Sequence, residues 1–229
     1  NIILITKRLP PNIHVGSGNF GINYEFVNTN SRLNPSPGPE VSLPATAGIK
    51  KITKNNNIIN LKDPSEPGFD FNSLYDSVKL KSYRLRLMLA AAHYTPMGKR
   101  STLKTAANIG WYQSPQTFQN ELFQIGGYKL LRGFDEESIY ANQYAFFTAE
   151  YRYLVGVNSN FFGFTDIGFT QTKFNSIEYS NNFISAGMGL SFETKFTLLN
   201  LSYAIGKRND IKFDIRNDSK IHFGYINYF

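Results

Sequence analysis

The sequence predicts an all-β fold, a transmembrane antiparallel β-barrel, and three observations predict it. Segments of about ten residues alternate apolar with polar positions, the period-2 signature of strands that show a different solvent to each face. The polar face is rich in Gly, Ser, Asn and Thr, whereas the opposite face is aliphatic and aromatic. A packed soluble core would disfavour small polar residues on its inner side; a wet lumen inside a lipid-facing wall requires them. Short links, "TPMGKR", "VGVNSN" and "ETKFT", alternate with long polar connectors near 50–82, 113–142, 173–181 and 207–219. Barrels of outer membranes carry short turns at one end and long loops at the other.

Composition agrees. The chain has 229 residues, enough for one domain, and aromatics make up 15%, with 20 Phe and 14 Tyr, a bias that suits a pleated surface. Mean hydropathy is −0.30, and no apolar run approaches the roughly 18 residues of a spanning helix. Cysteine is absent, which removes disulfides and thiolate chemistry. The net charge of +7 does not imply nucleic-acid binding, because bases and acids interleave, as in "KRNDIKFDIRNDSK". A basic surface suits anionic lipid headgroups. The opening "NIILITKRLPP" shows no Met, charged leader or cleavage site, so a mature product or a start within something larger is expected.

The strands follow in order. In "NFGINYEF", Phe20, Ile22, Tyr24 and Phe26 oppose Asn19, Gly21, Asn23 and Glu25. Val41–Ile49 is a strand weakened by Pro44, which cannot donate to a ladder. "YRLRLMLAAAHY" sets Tyr83, Leu85, Leu87 and Leu89 against Arg84 and Arg86. "LKTAANIGW" sets Leu103, Ala107, Ile109 and Trp111 against Lys104 and Asn108. "QYAFFTAEYRYLVG" places Phe147, Tyr151 and Tyr153 opposite Thr148, Glu150 and Arg152. "FFGFTDIGFTQ" places Phe161, Ile167 and Phe169 opposite Asp166 and Gly168. "NFISAGMGLSFE" and "LLNLSYAIGK" alternate in the same way, and "KIHFGYINYF" is the last strand. About nine strands result, with no convincing helix.

The connector 113–142 contains "IGGYKLLRGFDEESIY", too apolar for a disordered loop. Gly126, Gly127 and Gly133 allow tight turns, while Leu131 and Phe134 need packing. The reading is a loop folded back into the lumen, with Arg132 partly desolvated and in need of acids. Glu150 and Asp166 face the lumen on the next two strands, and one guanidinium can bridge both.

"GGYKLLRGF", "AEYRYLVG", "FTDIG" and the final phenylalanine together resemble the outer-membrane assembly and secretion superfamily, BamA/TamA-like and related to two-partner secretion transporters. "NSRLNPSPG", at Arg32 to Gly38, and "YTPMGKRSTL" add to the likeness. The resemblance implies that Arg132, Gly133 and Phe134 form the tip of the sixth extracellular loop and dock on Phe164, Asp166 and Gly168, with Glu150 as a further acid. It also implies that residues 1–229 are the C-terminal part of a sixteen-stranded, bacterial surface antigen-like barrel, from the eighth strand on, with periplasmic POTRA domains upstream. His222, Gly224, Tyr225 and Phe229 mark a C-terminal seam and insertion signal, although Asn227 departs from the aromatic expected third from the end. The implied function is insertion of β-barrel proteins into the outer membrane of Gram-negative bacteria by strand pairing at a lateral seam, without nucleotide or other cofactor.

The resemblance also implies partners: unfolded outer-membrane or secreted polypeptides, outer-membrane lipid and lipopolysaccharide, and accessory lipoproteins, but no nucleic acid. His14, His93 and His222 lie near no ligand or triad pattern, so neither a metal site nor an enzyme is expected. Glu136/Glu137 and Asp63/Glu66 read as solvated loop acids. The alternatives are a polypeptide-secreting transporter of the same superfamily, a passive porin-like uptake barrel and a soluble β-sandwich.

Overall fold

The computed structural model describes residues 2–31, 34–174, 177–194 and 197–227. The strands are β1 (Val15–Val27), β2 (Gly38–Ile52), β3 (Lys81–Pro96), β4 (Ser101–Gln113), β5 (Phe123–Ile125), β6 (Ile139–Ala141), β7 (Gln143–Leu154), β8 (Asn160–Phe174), β9 (Ile177–Glu193), β10 (Thr197–Arg208) and β11 (Ser219–Asn227). Nine of them form one antiparallel sheet in the order β1-β2-β3-β4-β7-β8-β9-β10-β11, and β5 pairs with β6 apart from it. Each strand of the large sheet pairs with the next along the chain, with only the separate β5–β6 pair intervening between β4 and β7, as in an up-and-down barrel wall. The sheet is open, with β1 and β11 at its edges.

The alternation decides which face is which. Phe20, Ile22 and Tyr24 on β1, Met188 on β9, and Ile221 and Phe223 on β11 all point outward, and Phe20 is 76% exposed. So broad an apolar surface is stable only against a non-aqueous phase. On the inner face Asp166, Ser185, Asn200 and Ser202 are buried behind the loop or between neighbouring strands. No helix among the described residues is long and apolar enough to cross a membrane.

The inner wall is not uniformly polar, contrary to the simplest reading of the sequence. Phe146 lies across Gly168, Phe164 across Gly187 and Phe162 across Gly189, each pair directly opposed in register. A Cβ added at Gly168 would stand 2.0 Å from the Phe146 ring. Glycine on one strand thus lets an aromatic ring of its neighbour lie flat on the sheet, and the ring shields the bare backbone beneath it.

Several expectations are corrected. Pro44 does not weaken a short strand; it sits within a 15-residue one, and only the β2–β3 register is interrupted, between Ser42↔Ala90 and Ala45↔Leu87. The connector expected at 173–181 is mostly strand, because β8 runs to Phe174 and β9 begins at Ile177. Short helical turns do occur, at Ile2–Thr6 and Asn56–Ile59. Asp63 is not a free loop acid: it pairs with Lys7, and the hydrogen bond from Lys7 holds its carboxyl below the usual range. Arg32 and Phe229 lie outside the described residues.

Candidate functional site

The long loop has structure of its own. A 3₁₀ turn at Gln119–Glu121 leads into β5, which pairs with β6 through Phe123↔Ala141 and Ile125↔Ile139. Phe123, Ile125, Leu131, Ile139 and Ala141 form a buried cluster against Tyr112, Tyr144, Phe146 and Phe183 of the wall. Burial of this apolar surface, at roughly 25 cal/mol per Å², is what keeps the loop on the inner face rather than in solvent.

Between β5 and β6 the backbone reverses sharply. Gly126 and Gly127 adopt φ of +114° and +93°, where side chains are strained. Gly127 and Leu131 exchange backbone hydrogen bonds of 3.0 and 3.2 Å, closing a hairpin whose tip is Tyr128 to Leu130. Glu136, expected to be solvated, accepts from the Tyr128 N–H at 3.2 Å. Arg132 therefore follows the tip rather than forming it.

Arg132 lies between two strands of the wall. Its Nε and Nη2 donate to the two carboxylate oxygens of Asp166 at 3.0 and 2.9 Å, and its Nη1 donates to Glu150 Oε2 at 2.5 Å. Its backbone N–H also reaches Asp166, at 3.3 Å. The guanidinium carbon stands 3.4 Å from the centroid of the Phe164 ring, a cation–π contact in a buried setting. Thr148 donates to Asp166 at 2.8 Å, and Arg152 Nε donates to Glu150 Oε1 at 2.8 Å. Burial opposes the Arg132 charge, but hydrogen bonds and attraction from Asp166 and Glu150 prevail and raise its pKa above the ordinary arginine value.

The next two residues reach the end of the sheet. The Gly133 N–H donates to His222 Nε2 at 2.9 Å, so that nitrogen carries no proton and the imidazole is neutral. Phe134 packs edge-on against Phe183, with centroids 5.2 Å apart. Lys220 pairs with Asp135 at 2.8 Å, and Gly224 faces the Tyr128 ring. His222 and Gly224, expected as a C-terminal signal, thus also hold the loop; Tyr225 points outward. Gly133 has φ of +88°, and a Cβ there would lie 2.9 Å from the Gly206 backbone nitrogen. Gly133→Ala is expected to combine backbone strain with this clash and to loosen the loop by about 1–3 kcal/mol. Faster proteolysis of 126–137, with the strand signal kept, is the readout.

A second buried ion pair holds the first leg of the loop, and sequence reasoning missed it. Lys50, fully buried on β2, donates to Glu121 at 2.8 and 3.0 Å and to the Gln116 carbonyl. Tyr112 O–H and Phe118 N–H complete the Glu121 carboxylate at 2.7 and 3.0 Å, and Arg86 donates to the Glu121 carbonyl at 2.8 Å. The one available signal was an acid set within the apolar stretch "TFQNELFQI". No group of three or more potential metal ligands occurs among the described residues.

An antiparallel wall, lipid-facing outside and polar inside, with a long loop clamped to its inner face, defines an outer-membrane β-barrel. The Omp85 superfamily domain matches residues 17–226, and the chain belongs to that superfamily. The superfamily is associated with the outer membrane, and its proteins handle polypeptide substrates. A comparison with curated proteins found no match.

Proposed function

We propose that this chain belongs to an assembly factor that folds β-barrel proteins into the outer membrane by pairing an incoming strand with β11 at a lateral seam. The observation that carries the reading is the tie between that strand and the long loop. β11 pairs with β10 in the register Thr197↔Asn227 to Ile205↔Ser219. Its inner face is meanwhile tied to the loop through His222 and Lys220. Unpaired backbone in lipid costs several kcal/mol per group, so a strand edge exposed when a seam opens captures any strand that offers partners. The loop holds the edge in shape while it does so. The role assigned to Arg132, Glu150 and Asp166 is mechanical, with no bond chemistry.

The loop covering the inner wall supports this reading over a passive porin. The test is disulfide capture in the full-length protein, with a cysteine at Phe223 and a cysteine series along an unfolded barrel substrate. A crosslink confined to one register of the substrate's last strand is expected. Crosslinks only to residues facing the lumen would instead indicate a polypeptide-secreting transporter and overturn the proposal.

A further inference from the structure

On the short-turn side of the Arg132 cluster, beneath the loop tip, lies a polar cavity of about 280 Å³. Its wall includes Lys104, Asn108, Arg152 and Asn200, with Lys129 of the tip above. Four cations line it, Lys104, Lys129, Arg132 and Arg152, against two carboxylates, Glu150 and Asp166. All four carboxylate oxygens are already engaged. Asp166 serves Arg132 with both oxygens, while Glu150 serves Arg132 with one and Arg152 with the other.

Four cations exceed two carboxylates by two charges, and the donors left open among the described residues are Lys104 Nζ, Lys129 Nζ and the Nη groups of Arg152. Lys104 lies opposite Glu150 in register yet makes no hydrogen bond or ion pair among the described residues. Its ammonium stands 6.0 Å from the Tyr94 ring centroid, and the Arg152 guanidinium carbon stands 5.4 Å from the same centroid. The two cations therefore share one aromatic neighbour. Arg152 holds Glu150 through Nε, and its Nη groups have no acceptor among the described residues. Glu150 lies between them but its oxygens are taken by Arg132 and Arg152, so a further anion would meet donors that remain open and offset the excess positive charge.

We propose that this chamber binds a small oxyanion, a carboxylate or phosphate, between Lys104 Nζ and the Arg152 Nη groups, with the Asn108 and Asn200 amides as neutral donors. Charge-assisted hydrogen bonds of this kind are short and strong, and the fork of Arg152 suits two oxygens of one group. The site is independent of the strand-pairing proposal. A carboxylate could come from a polypeptide terminus or acidic side chain, and a phosphate from solution.

The test uses the full chain folded in zwitterionic detergent, titrated with inorganic phosphate while sodium chloride keeps the ionic strength fixed. Saturable thermal stabilisation with half-effect at roughly millimolar phosphate is expected. Lys104→Gln should weaken it about tenfold, as expected for one lost charge-assisted bond, whereas Lys104→Arg should retain it. The glutamine variant without phosphate should be at least as stable as the parent, because a repulsive charge has gone. A peptide with a free terminal carboxylate that competes with phosphate, when its amide does not, identifies polypeptide as the source. Saturation by phosphate without such competition identifies the free ion. No saturation in the parent, or an identical response in Lys104→Gln, overturns the site.

Discussion

Replacing Arg132 with alanine is expected to detach the second leg of the loop and abolish substrate insertion, while far-UV circular dichroism stays that of the parent. The substitution removes all three side-chain hydrogen bonds that join the loop to Glu150 and Asp166, as well as the contact over Phe164. It also leaves Asp166, 1% exposed, without a cation, while Glu150, 5% exposed, keeps only Arg152. Breaking a buried pair from one side costs about 3–5 kcal/mol, more than most apolar truncations in this loop would. The strands lose little, because their ladders do not pass through Arg132. Arg132→Lys keeps the charge but can serve only part of the two-carboxylate fork, so intermediate loss is expected. Protease sensitivity of residues 126–137 measures detachment, and insertion into liposomes measures function. Normal insertion by Arg132→Ala would refute the role assigned to the cluster.

The second large effect is expected at the other leg. Glu121→Ala leaves the Lys50 ammonium, 0% exposed, with a single backbone carbonyl, and also strips acceptors from Tyr112 and Phe118. A loss of about 3–5 kcal/mol is again expected, read as a lower midpoint of thermal unfolding. The pair Lys50→Met with Glu121→Leu removes both charges and fills similar volume, so it should recover most of the loss. Recovery would appear as a coupling energy in a double-mutant cycle. Additive losses would show that the two side chains act separately.

Much of the wall was legible, because a strand with unlike faces writes its period into sequence. The nine strands and the outward position of Phe20, Phe161 and Ile167 follow from alternation alone. The loop's grip was legible in part: Arg132 between two aliphatic or small neighbours asks for acids, and Glu150 and Asp166 occur at inward positions. Two things were hidden. "YAFF" and "FFGF" are apolar on both faces, so the rings of Phe146, Phe162 and Phe164 on the inner side could not be told from those outside. The Lys50–Glu121 pair spans 71 residues, and neither member belongs to a local pattern, so only the closure of the sheet and loop brings them together.

The loop touches β2 at Lys50, β4 at Tyr112, β7 at Glu150, β8 at Asp166, β10 at Gly206 and β11 at His222. A segment anchored so widely works like a tendon across a joint. If the first strands tilt relative to the last, tension runs along it from Lys50 to His222. A shift of the strands at one end of the sheet is therefore felt at the other.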